Sequence, residues 1–143
     1  MLKQLMMGIS FAAMAVSAYV SDLRAAEIFA AAETAPVPRI SNERGVKVTV
    51  IPRNRLNGAK AWEFEVTLET HTQSLNDDLA KSAVLIADGM QYAPLGWEGA
   101  PPGGHHRKGL LRFKTITPQP QSVELQIHLG GETAPRSFKW LMK

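Results

Sequence analysis

The sequence predicts an all-β protein: an antiparallel two-sheet β-sandwich of the immunoglobulin-like type with about seven strands. Three observations support this prediction. Beyond residue 45, apolar and polar residues alternate with a period of two in several short runs. No run of ten or more residues after the N-terminal segment has a helical period, and Gly, Pro or Asp-Gly turns separate the runs. A small β-barrel is the alternative that the same pattern leaves open.

The predicted strands are short and follow one another closely. The clearest run, 62–69, alternates large apolar residues with Glu and Thr, which predicts one buried face and one acidic face. One helical turn is predicted at 74–77, where Ser74 and Asp77 have the spacing of a capping box. We expect Trp62 and Trp140 to anchor the core. In chain order the predicted strands are 46–50, 62–69, 83–87, 91–95, 110–114, 123–129 and 138–140.

The N-terminal segment has the composition of a secretory signal peptide. Lys3 precedes an uncharged stretch from Leu5 to Val20, and small residues follow it. The stretch is shorter than the roughly 20 apolar residues that a membrane-spanning helix needs. We therefore expect residues 1–32 to be a signal peptide with a cleavage site between 18 and 32, or, alternatively, an uncleaved anchor. Either case predicts a periplasmic or secreted protein that meets a membrane only through an uncleaved N-terminal segment.

The remaining chain is predicted to be one domain with a short extension. Residues 33–44 are rich in Pro and polar residues, which is typical of a linker or N-terminal arm. Residues 45–143 form the predicted sandwich. A chain of 143 residues has room for one ordinary core. A two-domain enzyme is therefore excluded.

Composition narrows the classes of function. The chain has no Cys, which excludes disulfide scaffolds, thiol catalysis and Cys-based metal sites. Its net charge is +3, but Lys and Arg are scattered, so we expect no nucleic-acid partner. The sequence contains neither a His-Glu-x-x-His nor a Gly-x-Ser-x-Gly motif. We expect a non-enzymatic protein, and a hydrolase whose site is assembled from residues distant in sequence is the alternative.

The passage from residue 97 to 109 is the candidate functional region. Its four Gly and two Pro predict a shaped loop that ends in His105 and His106. His71 follows the acidic strand, and if the two segments meet, these three imidazoles can bind Zn²⁺ or Cu²⁺. The competing hypothesis is that one His donates to a backbone carbonyl and braces the loop. His128, by contrast, is predicted to be an ordinary surface residue.

Three further residues are candidates for binding. Arg107 stands beside a Gly-rich backbone and can hold an anion. Trp97 lies at the loop edge, where core packing and ligand contact are both consistent with the sequence. Asp78 can supply a further oxygen ligand to a metal.

The order of the short motifs resembles that of a known family. These motifs are Thr70-His71-Thr72, Asp77-Asp78-Leu79, Trp97-Glu98-Gly99 and the 103–113 segment Gly-Gly-His-His-Arg-x-Gly-x-Leu-x-Phe. They are similar to those of exported or membrane-tethered prokaryotic immunoglobulin-like β-sandwich domains of uncharacterised function. The resemblance spans roughly residues 45–143. It implies a sandwich outside the cytoplasm and brings no known substrate or cofactor.

Together these expectations describe an exported, non-enzymatic β-sandwich module. Its predicted site is a divalent transition-metal site for Zn or Cu, formed by His71 with His105 and His106. The alternative is a structural or protein-interaction module of the cell envelope in which the His residues only brace the loop. The expected partner is accordingly a metal ion or an envelope protein.

Overall fold

The structure is a computed structural model that describes residues 37–53 and 60–142. The predicted signal peptide lies outside the described residues. Within them the chain forms one short helix and nine strands, and no helix there is long and apolar enough to cross a membrane. The elements are β1 (Arg39–Glu43), β2 (Val46–Pro52), β3 (Ala61–Thr70), α1 (Leu79–Ser82), β4 (Ala83–Ala87), β5 (Met90–Tyr92), β6 (Gly96–Gly99), β7 (His106–Lys114), β8 (Ser122–Ile127) and β9 (Arg136–Leu141).

The strands form two antiparallel sheets. One sheet has the order β1-β2-β3-β7-β6 and the other has the order β5-β4-β8-β9. Without β1, these orders match strands A-B-E-D and C′-C-F-G of immunoglobulin domains. Neither sheet closes on itself. The predicted β-sandwich is therefore confirmed, and the alternative of a closed barrel is wrong.

The core lies between the inward faces of the two sheets. Trp62 and Phe64 of β3 are no more than 1% exposed, as period-two alternation predicted. Phe64 contacts Phe113 edge-on, with ring centroids 5.9 Å apart, and Trp140 of the other sheet at 5.4 Å. These aromatic contacts, of which the one between Phe64 and Trp140 joins the two sheets, occupy the core of a sandwich that has no Cys. Both tryptophans predicted to anchor the core do so.

Two strands occur where the sequence did not predict them. The segment predicted as a linker or arm contributes β1, whose sequence Arg-Ile-Ser-Asn-Glu lacks a clear apolar alternation. Arg44 and Gly45 both have positive φ, 49° and 76°, which is the geometry of a tight turn between antiparallel strands. β6 lies within the predicted loop and pairs with β7. Both extra strands lie at the edges of their sheet, where a weaker apolar pattern suffices.

The helical turn is displaced from its predicted position. It spans Leu79–Ser82 instead of 74–77, because the carboxylate of Asp78 accepts a hydrogen bond from the Ala80 N–H at 3.1 Å. Asp78 is therefore the N-cap. Ser74 instead hydrogen-bonds Asn76 in the preceding loop.

The loops that carry the candidate residues gather at one end of the sandwich. They are the β1–β2 turn (44–45), the β3–β4 connection (71–82), the β6–β7 loop (100–105) and the β8–β9 loop (128–135). We call this the loop end. The first and last described segments lie at the other end, where the Trp140 indole N–H donates to the Val37 carbonyl at 2.8 Å.

Candidate functional site

The two segments that carry the predicted histidines are adjacent. The Thr70 N–H donates to the His105 carbonyl at 3.0 Å, and Glu69 is the register partner of His106. Leu75 extends the pairing into the loops, since its N–H donates to Gly104 at 2.9 Å and its carbonyl accepts from Gly103 at 2.7 Å. The Thr-His-Thr segment and the Gly-Gly-His-His loop therefore belong to one surface.

The histidine side chains at this end all face solvent. His71, His105 and His106 are exposed, and so is His128, whose N–H donates to the Ser82 carbonyl at 2.8 Å. All four histidines of the chain thus lie at the loop end. His128, predicted as an ordinary surface residue, is part of this surface.

Counting the described residues alone, one histidine, His106, has an acidic neighbour within ion-pair distance. The His106 Nδ1 lies 3.8 Å from Glu69 Oε1, and the other oxygen of Glu69 is 3.1 Å from Lys47 Nζ. Among residues 37–53 and 60–142, no group of three potential metal ligands is close enough to hold an ion. The predicted ligands therefore share one surface without forming a metal-binding cluster.

Arg107 joins the β3–β4 connection to the β6–β7 loop from inside the domain. It is 1% exposed, and its Nη1 donates to the carbonyls of Asp77 at 2.6 Å and Leu75 at 3.2 Å. Its Nη2 donates to the carbonyl of Ala100, in the β6–β7 loop, at 3.3 Å. Burial lowers the pKa of Arg107, while the charges of Asp77 and Asp78 act in the opposite direction. The guanidinium stays protonated, because arginine retains its proton even when buried.

The packing of Trp97 completes this brace. The indole N–H donates to the Ala100 carbonyl at 2.9 Å, and the Arg107 guanidinium carbon lies 5.7 Å from the ring centroid. The ring lies over Gly109, where an added Cβ would approach Trp97 Cζ2 to 2.6 Å. Glycine at this position lets Trp97 and the backbone of Glu98 and Gly99 approach the strand closely.

These contacts correct several predicted roles. Arg107 is not available to an anion from solvent, because its guanidinium is buried and already donates to three carbonyls. Trp97 is half-buried against the core, and Asp78 caps α1 and pairs with Lys81 at 3.7 Å. The loop is braced by the three hydrogen bonds that Arg107 donates to backbone carbonyls.

A second buried arginine was not predicted. Arg136 donates to the carbonyls of Val46 at 2.6 Å and Glu43 at 2.7 Å. Glu132 meets the guanidinium with both carboxylate oxygens, at 2.6 and 3.2 Å, and the two side chains are 1% and 9% exposed. Arg136 therefore ties the β8–β9 loop to the β1–β2 turn.

The sequence contains a signal for both arginines. Arg107 has the same odd-numbered parity as the inward-facing Leu111 and Phe113 of β7. Arg136 likewise shares its parity with Phe138 and Trp140 of β9. Strict application of the period of two would have assigned both arginines to the buried face.

A cleft opens between the loops that the arginines hold. It has a volume of about 400 Å³. Its wall is further fixed by Asp77, whose Oδ1 accepts from the Gly130 N–H at 2.9 Å. The lining residues are Arg44, Val46, Gln73, Ser74, Leu75, Asn76, Asp77, Leu129, Gly130, Gly131 and Glu132.

The loop end is therefore a surface with hydrogen-bonding groups of several kinds. It offers imidazoles, amides, hydroxyls and a cleft, on loops that are joined by buried guanidinium groups. Within the described residues no histidine side chain hydrogen-bonds a hydroxyl group. Comparisons of the chain with protein-family models, with curated proteins and with solved structures found no significant match.

Proposed function

We propose that this chain is an exported, non-enzymatic interaction module of the cell envelope, which binds a partner protein through its loop end. The observation that carries the proposal is the pair of buried arginines, Arg107 and Arg136, that hold the loops in one arrangement. Loops fixed in advance lose little conformational entropy on binding, so more of the contact free energy appears as affinity.

The hydrogen bonds of Arg107 indicate that it maintains the geometry of the loops and does not only stabilise the fold. Among the residues that the structure describes, its guanidinium contacts three carbonyl oxygens and no carboxylate within hydrogen-bond distance. Taking a cation out of water costs several kcal/mol, and well-packed apolar side chains stabilise a fold at least as well. A guanidinium does what an apolar side chain cannot, because it fixes the positions of several carbonyls at once. We infer that the geometry of the loops is what it maintains.

Site-specific photo-crosslinking tests the proposal. A photoreactive phenylalanine analogue replaces His105, which is exposed at the loop end, and in a matched variant replaces Lys114, which is exposed at the far end of the same strand β7. In intact cells we expect a protein adduct of defined mass from position 105 and none from position 114. Arg107→Met should weaken the adduct. Equal adducts from both positions, or none from 105, would contradict the proposal.

Export is tested separately by fractionation. We expect the protein in the envelope or secreted fraction, and mass spectrometry should show an N-terminus between residues 19 and 33 if the segment is cleaved. An intact N-terminus in the membrane fraction corresponds to the anchored form. Recovery of the protein with a cytoplasmic marker enzyme would contradict export.

Binding of Zn²⁺ or Cu²⁺ is a second candidate function. The specific observation in its favour is the approach of His106 to Glu69 beside the segments of His71 and His105. His106 and Glu69 would supply two ligands. Zinc in proteins is four-coordinate, so a third side chain must also move to about 2.1 Å from the ion.

Calorimetric titration with Zn²⁺ and Cu²⁺ distinguishes this candidate. Saturable heat at micromolar metal, lost in His106→Gln and kept in the matched variant His128→Gln, would support it. Absence of saturable heat in the unaltered protein would remove it and leave the interaction module as proposed.

A further inference from the structure

The cleft at the loop end combines an aliphatic floor with a polar rim. Its floor consists of three aliphatic side chains, Val46, Leu75 and Leu129, each no more than 4% exposed. Its rim carries exposed polar side chains, among them Gln73 and Asn76. A volume of about 400 Å³ lies at the lower end of the range for ligand-binding clefts. The cleft can therefore accept one residue of a ligand.

The charges around the cleft favour an anionic group. The charge of Glu132 is offset by Arg136, which holds both carboxylate oxygens. The charge of Asp77 is offset by the buried guanidinium of Arg107, which donates to the Asp77 carbonyl and interacts electrostatically with its carboxylate. Arg44 is the cation of the lining, it is exposed, and within the described part of the chain it makes no ion pair. Arg44 therefore offers a positive charge to a ligand.

The amide groups on the rim add hydrogen-bond donors. Gln73 uses Nε2 to donate to the Arg44 carbonyl at 2.9 Å, and this amide nitrogen retains a second hydrogen. Asn76 uses its oxygen to accept from Ser74 at 2.9 Å, so its amide nitrogen remains available. A cation and two amide donors around an aliphatic floor match a carboxylate attached to an aliphatic group.

We propose that the cleft binds the C-terminal residue of a partner polypeptide, with its carboxylate at Arg44 and an aliphatic side chain on the floor of Val46, Leu75 and Leu129. The inference rests on the proposed function, since it identifies which part of the partner protein the loop end recognises. A chain terminus supplies both required groups on one residue. Capture of a C-terminal carboxylate by backbone and side-chain donors is a general mode of peptide recognition.

The test uses N-acetyl-leucine as the probe and N-acetyl-leucinamide as its uncharged match. Both are titrated into the ¹⁵N-labelled protein as processed by the cell, and amide chemical shifts are followed. We expect saturable shifts at 44–46, 73–77 and 129–132 with a Kd on the order of 1 mM, the affinity expected for so small a ligand. The uncharged probe should bind at least roughly tenfold more weakly, because it loses the charge-assisted hydrogen bonds.

Two variants assign the effect to the rim. Arg44→Asn should weaken the probe roughly tenfold, and Asn is chosen because it tolerates the positive φ at this position. Asn76→Ala removes a donor without altering that turn and should also weaken binding. Lys114→Gln removes an exposed cation at the far end and should leave the Kd unchanged.

Several results would overturn the inference. These are equal affinity for the acid and the amide, shifts confined to other residues, absence of saturation, and variants at the rim that bind as well as Lys114→Gln. Crosslinking from position 105 is independent of the cleft chemistry. If it persists while N-acetyl-leucine fails, this inference is wrong and the interaction module stands.

Discussion

Replacing Arg107 with Met tests the brace directly. Methionine keeps an unbranched side chain of similar reach but removes all three donated hydrogen bonds. Two of the three carbonyls keep another donor, because Leu75 O accepts from Gly103 and Ala100 O accepts from Trp97. Only the Asp77 carbonyl, which receives the shortest bond at 2.6 Å, loses its partner. The cost therefore concentrates at one buried acceptor.

The magnitude follows from that count. An orphaned buried acceptor costs about 1–3 kcal/mol. Loss of the guanidinium from the Trp97 ring adds about 0.5–1 kcal/mol, whereas relief of desolvation acts in the opposite direction. We expect a net loss of about 2 kcal/mol in the free energy of unfolding. For a domain of about 100 residues this lowers the Tm by about 8–16 °C.

The assay combines thermal unfolding with amide hydrogen exchange. In Arg107→Met, exchange of the Leu75 and Gly103 N–H groups should accelerate about 30-fold or more, because their opening costs about 2 kcal/mol less. The matched variant is Arg112→Met on the same strand, whose side chain is 39% exposed and pairs with Glu63 on the surface. Surface pairs contribute about 0–1 kcal/mol. Equal losses in the two variants, or unchanged exchange in Arg107→Met, would refute the brace.

The remaining predictions concern a carboxylate and a glycine. The pKa of Glu124 is lowered, first by the hydrogen bond from Ser137, so its contribution to stability is present above the ordinary value of 4.5 and is lost as pH falls through the lower folded pKa. Glu124→Gln should therefore cost about 1 kcal/mol at neutral pH and nothing in strong acid, as measured by urea unfolding across pH; a constant difference would contradict this. Gly109→Ala should lower the free energy of unfolding by about 1–3 kcal/mol, because the new Cβ meets the Trp97 ring and the backbone of Glu98 and Gly99. Gly96→Ala meets no neighbour within 4 Å and should unfold within about 0.5 kcal/mol of the unaltered protein, so similar Tm values for the two glycine variants would argue against this packing.

The strands were predictable to different degrees. The alternation from Trp62 to Glu69 is local, strong and buried on one face, and β3 occupies this run. β1 was not predicted, because an edge strand needs partners more than it needs an apolar face. The strand predicted at 91–95 is shorter in the structure, where β5 ends at Tyr92 and Pro94 lies beyond it.

The sequence predicted which segments form the candidate site, but it did not predict the roles of their residues. Its residues were found from their chemistry, and the segments of His71 and His105 do meet. Their roles differ from the expected ones, because buried arginines are rare enough that charge suggested a surface position for Arg107. Its parity within β7 indicated the opposite. The charge of an arginine predicts exposure, whereas its position in the strand can predict burial. Burial is tolerated when carbonyl groups of neighbouring loops accept hydrogen bonds from the guanidinium, and most of these loops are distant in sequence.

The sequence by itself determined the fold class and the candidate loop. Alternation of apolar residues selects strands, and Gly and Pro select turns, because both are properties of neighbouring residues. Only the tertiary structure decided which loops share an end, that Arg107 and Arg136 lie inside it, and that a cleft lies between Arg44 and Leu129. Four of the hydrogen bonds that the buried guanidinium groups donate join residues 30 to 93 positions apart, and no local pattern encodes such pairings.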